Sequence, residues 1–398
     1  MCYQNIYNYE KIYMCESAII TQFFARILMS IYPVPDWLPD FHTRIAQWYA
    51  KCGRVELPWR NLRRDGSQSY EVYISEIMLQ QTQVSRVLEA FYFPFLHTFP
   101  SLSALADSHE QDVLRLWQGL GYYTRARNLR KCAQICVKNH NGALPKGVEN
   151  LKKLPGIGAY SAGAISCFGF GESVGFVDAN IKRVFSRLFA LQNPTSHELQ
   201  TLATILLDTQ DSFTYNQALL DIGALVCKSK PLCIVCPIRE FCKGSNAPHL
   251  YPQKTLKTRE SLRLELYIIT YYENQTLYVA LDSPHSRRDS TLYAGLYNVP
   301  MRAGNLSNIS PAGISKSFAT SFKHIGSFKH AYTKYAINAL VFYAHCQDKQ
   351  QAQALIDSCV ICSVDSQSRC DIAFVALDML SSIPLSNLSH KALKCIPM

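Results

Sequence analysis

Apolar residues recur with helical spacing from about residue 41 to residue 240, and short polar or glycine-rich segments interrupt them. One interruption lies in "ISEIMLQQTQV" (74–84), where the apolar positions form a core-facing helical stripe around Glu76. Four polar residues follow before the apolar pattern resumes at residue 84. We therefore predict a buried helix that carries Glu76 near its end, a polar corner, and a second helix capped by Thr82.

The spacing of apolar residues changes to every second position beyond residue 260. Apolar and polar residues alternate over 262–268, and "ENQT" predicts a turn into a second strand at 277–281. Residues 335–343 predict another strand, and the polar, turn-rich residues 246–260 read as a linker. The sequence therefore predicts a mainly α protein, with a helical body followed by a smaller α+β domain at 261–398.

Composition narrows the class of protein. The chain has 398 residues with 48% apolar content, enough for two or three domains with full cores. Its formal net charge of +10 is consistent with a polyanionic partner. Residues 18–32 are too short and too interrupted for a membrane span. No basic region followed by a small-residue cleavage site is evident there, so we do not expect a signal peptide. We expect residues 1–40 to be a disordered extension or the product of a misassigned start.

Four of the 15 cysteines cluster in "CKSKPLCIVCPIREFC". Their spacing is C-x5-C-x2-C-x5-C, at Cys227, Cys233, Cys236 and Cys242. Four thiolates in so short a loop suit a cubane iron–sulfur cluster or a tetrahedral zinc ion. This loop holds only one CxxC pair, whereas structural zinc usually draws on two close pairs, so the spacing favours one [4Fe-4S] cluster. The lysines and arginine of the loop suit contact with phosphates.

A glycine turn precedes a helix made of small residues in "LPGIGAYSAGAI" (154–165). Gly156 and Gly158 allow the backbone N–H groups of such a turn to approach a phosphate at the helix N-terminus. A plain helix–helix corner is the alternative. In "VDANIKRV" (177–184), Asp178 is placed to cap the next helix, with Asn180 in its first turn.

Together these segments resemble the helix–hairpin–helix DNA glycosylases, an endonuclease III-like superfamily, and above all the adenine glycosylases of the MutY type. The resemblance covers about 41–245. Its motifs occur in the family's order: "SEIMLQQTQV", "GLGYYTRARNL", "LPGIGAY", "VDANIKRV", "YNQALLDIGA" and the cysteine loop. It implies a six-helix module at about 66–150 and a cluster-bearing part formed by 41–65 and 151–245. "GLYNVP" (295–300) and "FKHAYTKY" (328–335) resemble that family's Nudix-like domain, which inspects 8-oxoguanine.

The resemblance also implies a reaction. Glu76 would face the pocket for a flipped adenine and, because an apolar wall disfavours its charged form, would protonate the leaving base. Asp178 would remain ionised, stabilise the positive charge on the sugar and help to deliver water. Bifunctional relatives carry a Schiff-base lysine where this chain has Tyr160, so we expect hydrolysis of the N-glycosidic bond without efficient strand cleavage.

Further roles follow from the same resemblance. Gln80 and Gln81 would enter the duplex beside the lesion, and Tyr122 would stack beside 8-oxoguanine as a wedge. Arg60 and Gln217 match positions that contact the extruded adenine. The family's lesion-contacting F-S-H triplet stands here as Tyr332, Thr333 and Lys334.

The chain departs from the family at several points. The first cysteine gap is five residues instead of six, and Ala179 replaces a glycine beside Asp178. The expected substrate is double-stranded DNA with an adenine opposite 8-oxoguanine or guanine, bound by a monomer in the cytoplasm, near the nucleoid if the source is bacterial.

Three other functions are compatible with parts of the sequence. A pyrimidine glycosylase of the endonuclease III type is disfavoured by the missing lysine and the extra domain. A lesion-binding protein without catalysis is disfavoured because Glu76 and Asp178 are both present. A nucleotide pyrophosphohydrolase is disfavoured because residues 261–398 lack the acidic run that binds magnesium for Nudix hydrolysis.

Overall fold

A computed structural model describes residues 34–253, 259–284, 293, 295–304, 322–332, 335–357 and 371–397. The predictions for residues 1–33, including the apolar run at 18–32, therefore lie outside the described residues, as do Thr333 and Lys334. No helix in the described ranges is long and apolar enough to cross a membrane.

The chain forms two compact units. The first runs to Ala106 and resumes over Lys131–Thr255, and the second comprises Asp107–Arg130 and the chain from Leu256 onward. Residues 107–130 thus group with the C-terminal part, although the sequence assigned them to the helical body. The domain boundaries given above remain a prediction.

Helices make up the chain between residues 38 and 221, as the apolar periodicity predicted. In chain order they are α1 (Leu38–Cys52), α2 (Ser69–Leu79), α3 (Val84–Ala90), α4 (Tyr92–Thr98), α5 (Leu102–Asp107), α6 (Glu110–Leu116), α7 (Thr124–Asn139), α8 (Val148–Leu151), α9 (Ala159–Phe170), α10 (Ala179–Leu188), α11 (Ser196–Ile205) and α12 (Ser212–Asp221). A 3-10 turn spans Pro58–Arg60, and a π-helical turn, Ile222–Val226, continues α12.

Close packing of α9 on α2 brings two parts of the predicted site together. A Cβ atom on Gly169 would lie 3.2 Å from the backbone of Ser69, and one on Gly163 would lie 2.7 Å from the Cβ of Phe176. The small residues of α9 therefore allow an approach that larger side chains would block. Helix α2 is buried along almost its whole length, with Glu76 among its buried residues.

The predicted cap at Thr82 is wrong. Helix α3 begins at Val84, and the residue before it, Gln83, makes no side-chain cap. The Thr82 hydroxyl instead donates to the carbonyl of Gln80 at 3.4 Å. Thr82 lies one residue before Gln83, which occupies the N-cap position.

The second unit contains a mixed sheet. Its strands are β1 (Glu260–Glu273), β2 (Thr276–Asp282), β3 (Met301–Gly304), β4 (Lys323–Tyr332), β5 (Tyr335–Cys346) and β6 (Ile372–Ala376). The order is β4-β5-β1-β2-β6, with β3 paired to β1. Among these described strands the β1–β5 pair is parallel and the other pairs are antiparallel. Helices α13 (Lys349–Asp357) and α14 (Asn387–Leu393) complete the described part. The predicted strands and α+β class are confirmed.

The turn between β1 and β2 is the one predicted from "ENQT". Asn274 and Gln275 both have positive φ, 48° and 66°, as a two-residue turn between antiparallel strands requires. Asparagine tolerates this conformation better than most residues, which explains why the turn could be found from the sequence.

Candidate active site

The first unit contains a cavity of about 230 Å³. Six of the residues predicted from the sequence line it: Arg60, Glu76, Tyr160, Asp178, Asn180 and Gln217. They come from five separate segments of the chain, so their convergence is a property of the fold. Apolar side chains, among them Leu57, Trp59 and Leu79, form much of the remaining wall.

Glu76 is the central acid of this cavity. It is 5% exposed, and the Tyr160 hydroxyl donates a hydrogen bond to its Oε2 atom at 2.8 Å. Burial raises the pKa of Glu76 to about 7, against the lowering effects of the Tyr160 hydrogen bond and the Arg60 charge; the charge of Asp178 raises it further. The carboxyl group is therefore about half protonated near neutral pH.

Asp178 caps α10, as the sequence predicted. The N–H of Ile181 donates to its Oδ1 atom at 2.6 Å, and the Asn180 amide donates to Oδ2 at 2.9 Å. Burial raises the pKa of Asp178, whereas these N–H donors and the Arg183 charge act to lower it. The two carboxyl groups of this cavity thus have different surroundings. Glu76 accepts a hydrogen bond from the Tyr160 phenol, whereas Asp178 accepts one from a backbone N–H at the start of α10.

Arg60 is held by a residue that the sequence reasoning missed. Its Nη1 and Nη2 atoms donate to the two oxygens of Asp221 at 2.7 and 2.8 Å. Asp221 is fully buried and also accepts hydrogen bonds from the backbone N–H and the guanidinium of Arg54. A carboxylate in the apolar run "ALLDIGA" (218–224) was the available signal.

The π-helical turn positions Asn180. A Cβ atom on Gly223 would lie 2.6 Å from the Cβ of Asn180, so only glycine permits this contact. Arg183 donates to the Gly223 carbonyl at 2.7 Å, to the Cys227 carbonyl at 2.6 Å and to Asn180 Oδ1 at 2.9 Å. One arginine therefore connects a cavity residue with the first residue of the cysteine loop.

The four predicted cysteines surround a much smaller, almost wholly apolar space of about 20 Å³. Burial raises the pKa of Cys236 and of Cys242, and the charges of the neighbouring cysteine sulfurs raise both further. All four thiols are free of disulfides. In the described part of the chain no three His, Cys, Asp or Glu side chains converge closely enough to hold a single metal ion.

Arg187 braces the cysteine loop. It is 5% exposed, and its guanidinium donates to five backbone carbonyls. These belong to Cys227, Lys228, Ser229, Pro248 and Tyr251. It also approaches Cys227 Sγ at 3.3 Å. Within the described residues its hydrogen bonds reach no carboxylate, so carbonyl oxygens and a cysteine sulfur surround this buried charge.

The predicted glycine turn separates α8 from α9. Gly156 has φ +80°, which requires the left-handed region, and Gly158 directly precedes α9. A Cβ atom on Gly158 would meet nothing within 4 Å, so this side of the turn is open. An open turn beside a helix N-terminus suits an anion.

The polar corner after α2 is also strained. Gln80 donates to Ser161 Oγ at 3.0 Å, which ties the corner to α9, whereas Gln81 is exposed with φ +58°. Non-glycine residues in this conformation cost free energy and cluster at functional sites.

The second unit contains the remaining predicted contacts. Tyr122 is 44% exposed and has φ +48°, in a turn held by hydrogen bonds from Arg125 to the carbonyls of Leu120 and Gly121, both at 3.1 Å. Tyr332 lies at the end of β4, where its ring centroid is 4.3 Å from that of Tyr293. The rest of the predicted triplet, Thr333 and Lys334, lies outside the described residues.

Comparison with known proteins shows which family this chain belongs to. The model of the HhH-GPD superfamily of base excision DNA repair proteins matches residues 74–207, a range that contains Glu76, Tyr160 and Asp178. The adenine DNA glycosylase of Mycolicibacterium smegmatis is 37% identical over 235 residues, which are 58% of this chain and 74% of that protein. This chain belongs to the adenine DNA glycosylase family.

Other members of the family match over a smaller share of their length. The adenine DNA glycosylase of Buchnera aphidicola subsp. Baizongia pistaciae is 43% identical over 212 residues, or 51% of this chain. The match spans 58% of that relative. The structure of a thermostable thymine-DNA glycosylase aligns with 52% of this chain and 96% of its own, with a TM-score of 0.48 and 26% identity.

Family resemblance had identified the cavity residues but not the residues that hold them. Arg54, Arg183, Arg187 and Asp221 all have buried or half-buried hydrogen bonds to site residues or to the cysteine loop. Arg183 and Arg187 are four residues apart on α10, so they share a face of that helix. That spacing was a usable signal in the sequence.

Proposed function

We propose that this protein is a DNA glycosylase that removes adenine mispaired with 8-oxoguanine or guanine, by hydrolysis of the N-glycosidic bond. The observation that carries the proposal is the Glu76 carboxyl group, buried in a cavity of about 230 Å³ with a pKa of about 7. A general acid is most effective when its pKa is near the working pH. Adenine is a poor anionic leaving group, so a proton donor at the base site is the first requirement of the reaction.

Each carboxyl group then has its own task. Glu76 donates its proton to the adenine ring as the bond from the sugar carbon to the base nitrogen breaks and its electrons pass to the base. Asp178 stabilises the positive charge that develops on the sugar. Water adds to the sugar carbon and gives up a proton to the Glu76 carboxylate, which restores the acid and leaves an abasic site. The different surroundings of the two acids support this division of roles.

The cavity also supports a monofunctional mechanism. A strand-cleaving glycosylase needs an amine that forms a Schiff base with the sugar. None of the described residues that line the cavity is a lysine. Tyr160 stands at the position in question, and its hydroxyl is engaged with Glu76. The expected product is therefore an intact strand with an abasic site.

Recognition of duplex DNA would involve both units. Gln80 and Gln81 form the corner proposed to enter the duplex, and the open turn at Gly156 and Gly158 suits a phosphate. Tyr122 combines exposure with a left-handed backbone, which supports its role as the stacking wedge. Tyr332, with Thr333 and Lys334, is proposed to contact the 8-oxoguanine.

The cysteine loop is proposed to hold one [4Fe-4S] cluster through Cys227, Cys233, Cys236 and Cys242. The chemistry of the donors fits: four free thiols face one small apolar space. When bound, the cluster supplies four strong cross-links to a loop that has only short 3-10 turns of its own.

The deciding experiment uses a duplex with one adenine opposite 8-oxoguanine, incubated with excess cluster-loaded, full-length protein. Strand breaks are scored before and after hot alkali. We expect breaks only after alkali, and a loss of about 100-fold to 10,000-fold in the rate for Glu76→Gln. Glu71→Gln, in the first turn of the same helix, is the matched control and should retain the rate.

Each other result would exclude part of the proposal. Breaks without alkali would exclude the monofunctional mechanism. Full activity in Glu76→Gln would show that Glu76 is not the general acid. Duplex binding by wild-type protein without any release of adenine would favour the lesion-binding function.

A further inference from the structure

The buried ion-pair cluster around Asp221 lies beside the general acid and has no role in the reaction as described so far. Asp221 is fully buried and accepts five hydrogen bonds from two arginines. Three come from Arg54, through its backbone N–H and its guanidinium, and two come from Arg60. A carboxylate in this position is a structural anion, because the hydrogen bonds of the arginines outweigh burial and lower its pKa.

The geometry fixes Arg60. Its two terminal nitrogens form a fork with the two oxygens of Asp221, and Nη1 also donates to the Tyr49 hydroxyl at 3.4 Å and the Arg54 carbonyl at 3.3 Å. A bidentate pair of this kind defines the plane of the guanidinium as well as its position. The Arg60 side chain is 5% exposed and lines the same cavity as Glu76.

The charge of Arg60 opposes the function of Glu76. A cation near a carboxyl group favours the ionised form, which cannot donate a proton. The other groups that face Glu76 are the Tyr160 hydroxyl from α9 and Asp178 at the start of α10, while Arg54 lines the same cavity. Asp221 carries the negative charge that is bonded directly to both arginines.

We propose that Asp221 is a positioning residue of this site, which fixes the plane of Arg60 and balances its charge beside Glu76. The inference rests on the proposed function, because it concerns the proton donor of that reaction. Asp221 itself touches neither substrate nor reacting atoms. Its effect passes through Arg60, so it should alter the pH dependence of the reaction as well as its rate.

The test is the pH profile of adenine release, measured in single turnovers with the full-length, cluster-loaded protein. In the wild type, the rate should fall as pH rises through about 7, where Glu76 loses its proton. Asp221→Asn leaves the Arg60 charge unbalanced, which favours the Glu76 carboxylate. We expect the fall in rate to begin about one pH unit lower.

Two further variants separate this effect from structural damage. In Asp221→Asn combined with Arg60→Gln, the Arg60 charge that favours the Glu76 carboxylate is also absent, so the fall in rate should return toward the wild-type pH. Asp208→Asn makes the same substitution at another carboxylate of this unit, which lies 3.9 Å from the His42 ring, and should leave the profile unchanged.

Asp221→Asn leaves two arginines without a buried counterion, so it is a severe change. If it does not fold, Arg54→Met provides the test, because the Arg54 side chain is 24% exposed and the Arg60–Asp221 fork is retained. Loss of one positive charge should move the fall in rate to higher pH, opposite to the shift in Asp221→Asn. General damage to the site would not produce shifts of opposite sign.

The outcomes are distinguishable from failure of the proposed function. If the wild type releases no adenine, the proposed function fails and the positioning role with it. If the wild type is active and the variants lose rate at an unchanged pH dependence, the positioning role of Asp221 is overturned and the proposed function stands.

Discussion

The cavity around Glu76 and the cysteine loop both contain buried polar groups, but these groups are stabilised in different ways. In the cavity, every ionisable group has a specific partner: Tyr160 for Glu76, a helix start for Asp178, Asp221 for Arg60. In the loop, four thiols share an apolar space, and the nearby Arg187 bonds mainly to backbone carbonyls.

This contrast shows how two kinds of site arise in one unit. The cavity is a preorganised arrangement whose groups already control one another's protonation, which is what proton transfer requires. The loop has four thiols around one small apolar space and a guanidinium that holds the surrounding backbone. The first site depends on pairwise electrostatics, and the second depends on a scaffold.

The largest expected effect is on stability, and it follows from substitution of Arg187, which holds the cysteine loop. Arg187→Met removes a buried guanidinium that donates to five carbonyls, three of them on the half-buried residues Cys227, Pro248 and Tyr251. We expect a loss of at least about 3 kcal/mol in the free energy of unfolding, measured with urea on the full-length protein. Arg239→Met, at an exposed position on the same loop, is the control and should change little. Equal stability of the two variants would mean that Arg187 does not brace the loop.

A second effect concerns the stability of the cavity as pH changes. The folded pKa of Glu76 is about 7, above its ordinary value of 4.5, so the folded protein holds this proton more tightly than the unfolded chain. Stability must therefore fall as pH rises from about 4.5 to about 7. At about 1.4 kcal/mol per pKa unit, the loss from this group is about 3 kcal/mol.

Glu76→Gln isolates that contribution. The difference in unfolding free energy between this variant and the wild type should grow over the same pH range in favour of the variant. Glu71→Gln should instead follow the wild type at every pH. A constant difference between Glu76→Gln and the wild type would show that the carboxyl group is not held in its protonated form.

The smallest expected effect comes from the loss of one hydrogen bond. The Tyr160 hydroxyl acts to lower the pKa of Glu76, so Tyr160→Phe should move the fall in adenine release to higher pH, by less than about one unit. Tyr215→Phe is the control, because its buried hydroxyl has no hydrogen-bond partner in the described structure. A shift to lower pH in Tyr160→Phe would contradict the role assigned to this bond.

Patterns of local origin could be predicted from the sequence. The helical stripe around Glu76, the cap by Asp178 and the turn at Asn274 depend on residues close together in the chain, so periodicity and turn chemistry were sufficient. The resemblance to a family then named Arg60, Tyr160 and Gln217, which local patterns could not connect.

Contacts between distant segments escaped prediction. Arg60 and Asp221 are 161 residues apart, and nothing in either local sequence states that they pair. Thr82 failed as a cap for a more local reason: the N-cap position is Gln83, and the Thr82 hydroxyl donates to the Gln80 carbonyl. The supporting residues of a site are harder to predict than the reacting ones, because many arrangements can satisfy the same need.

The π-helical turn at Ile222–Val226 makes this part of the gene sensitive to changes in length. It closes with a hydrogen bond from the Cys227 N–H to the Ile222 carbonyl, which encloses one residue more than an α-helical turn. Deletion of a single codon here would restore an ordinary helix and rotate everything that follows by about 100°. Gly223 and Cys227 would no longer both meet Arg183, so an in-frame deletion should disturb the cavity and the loop together.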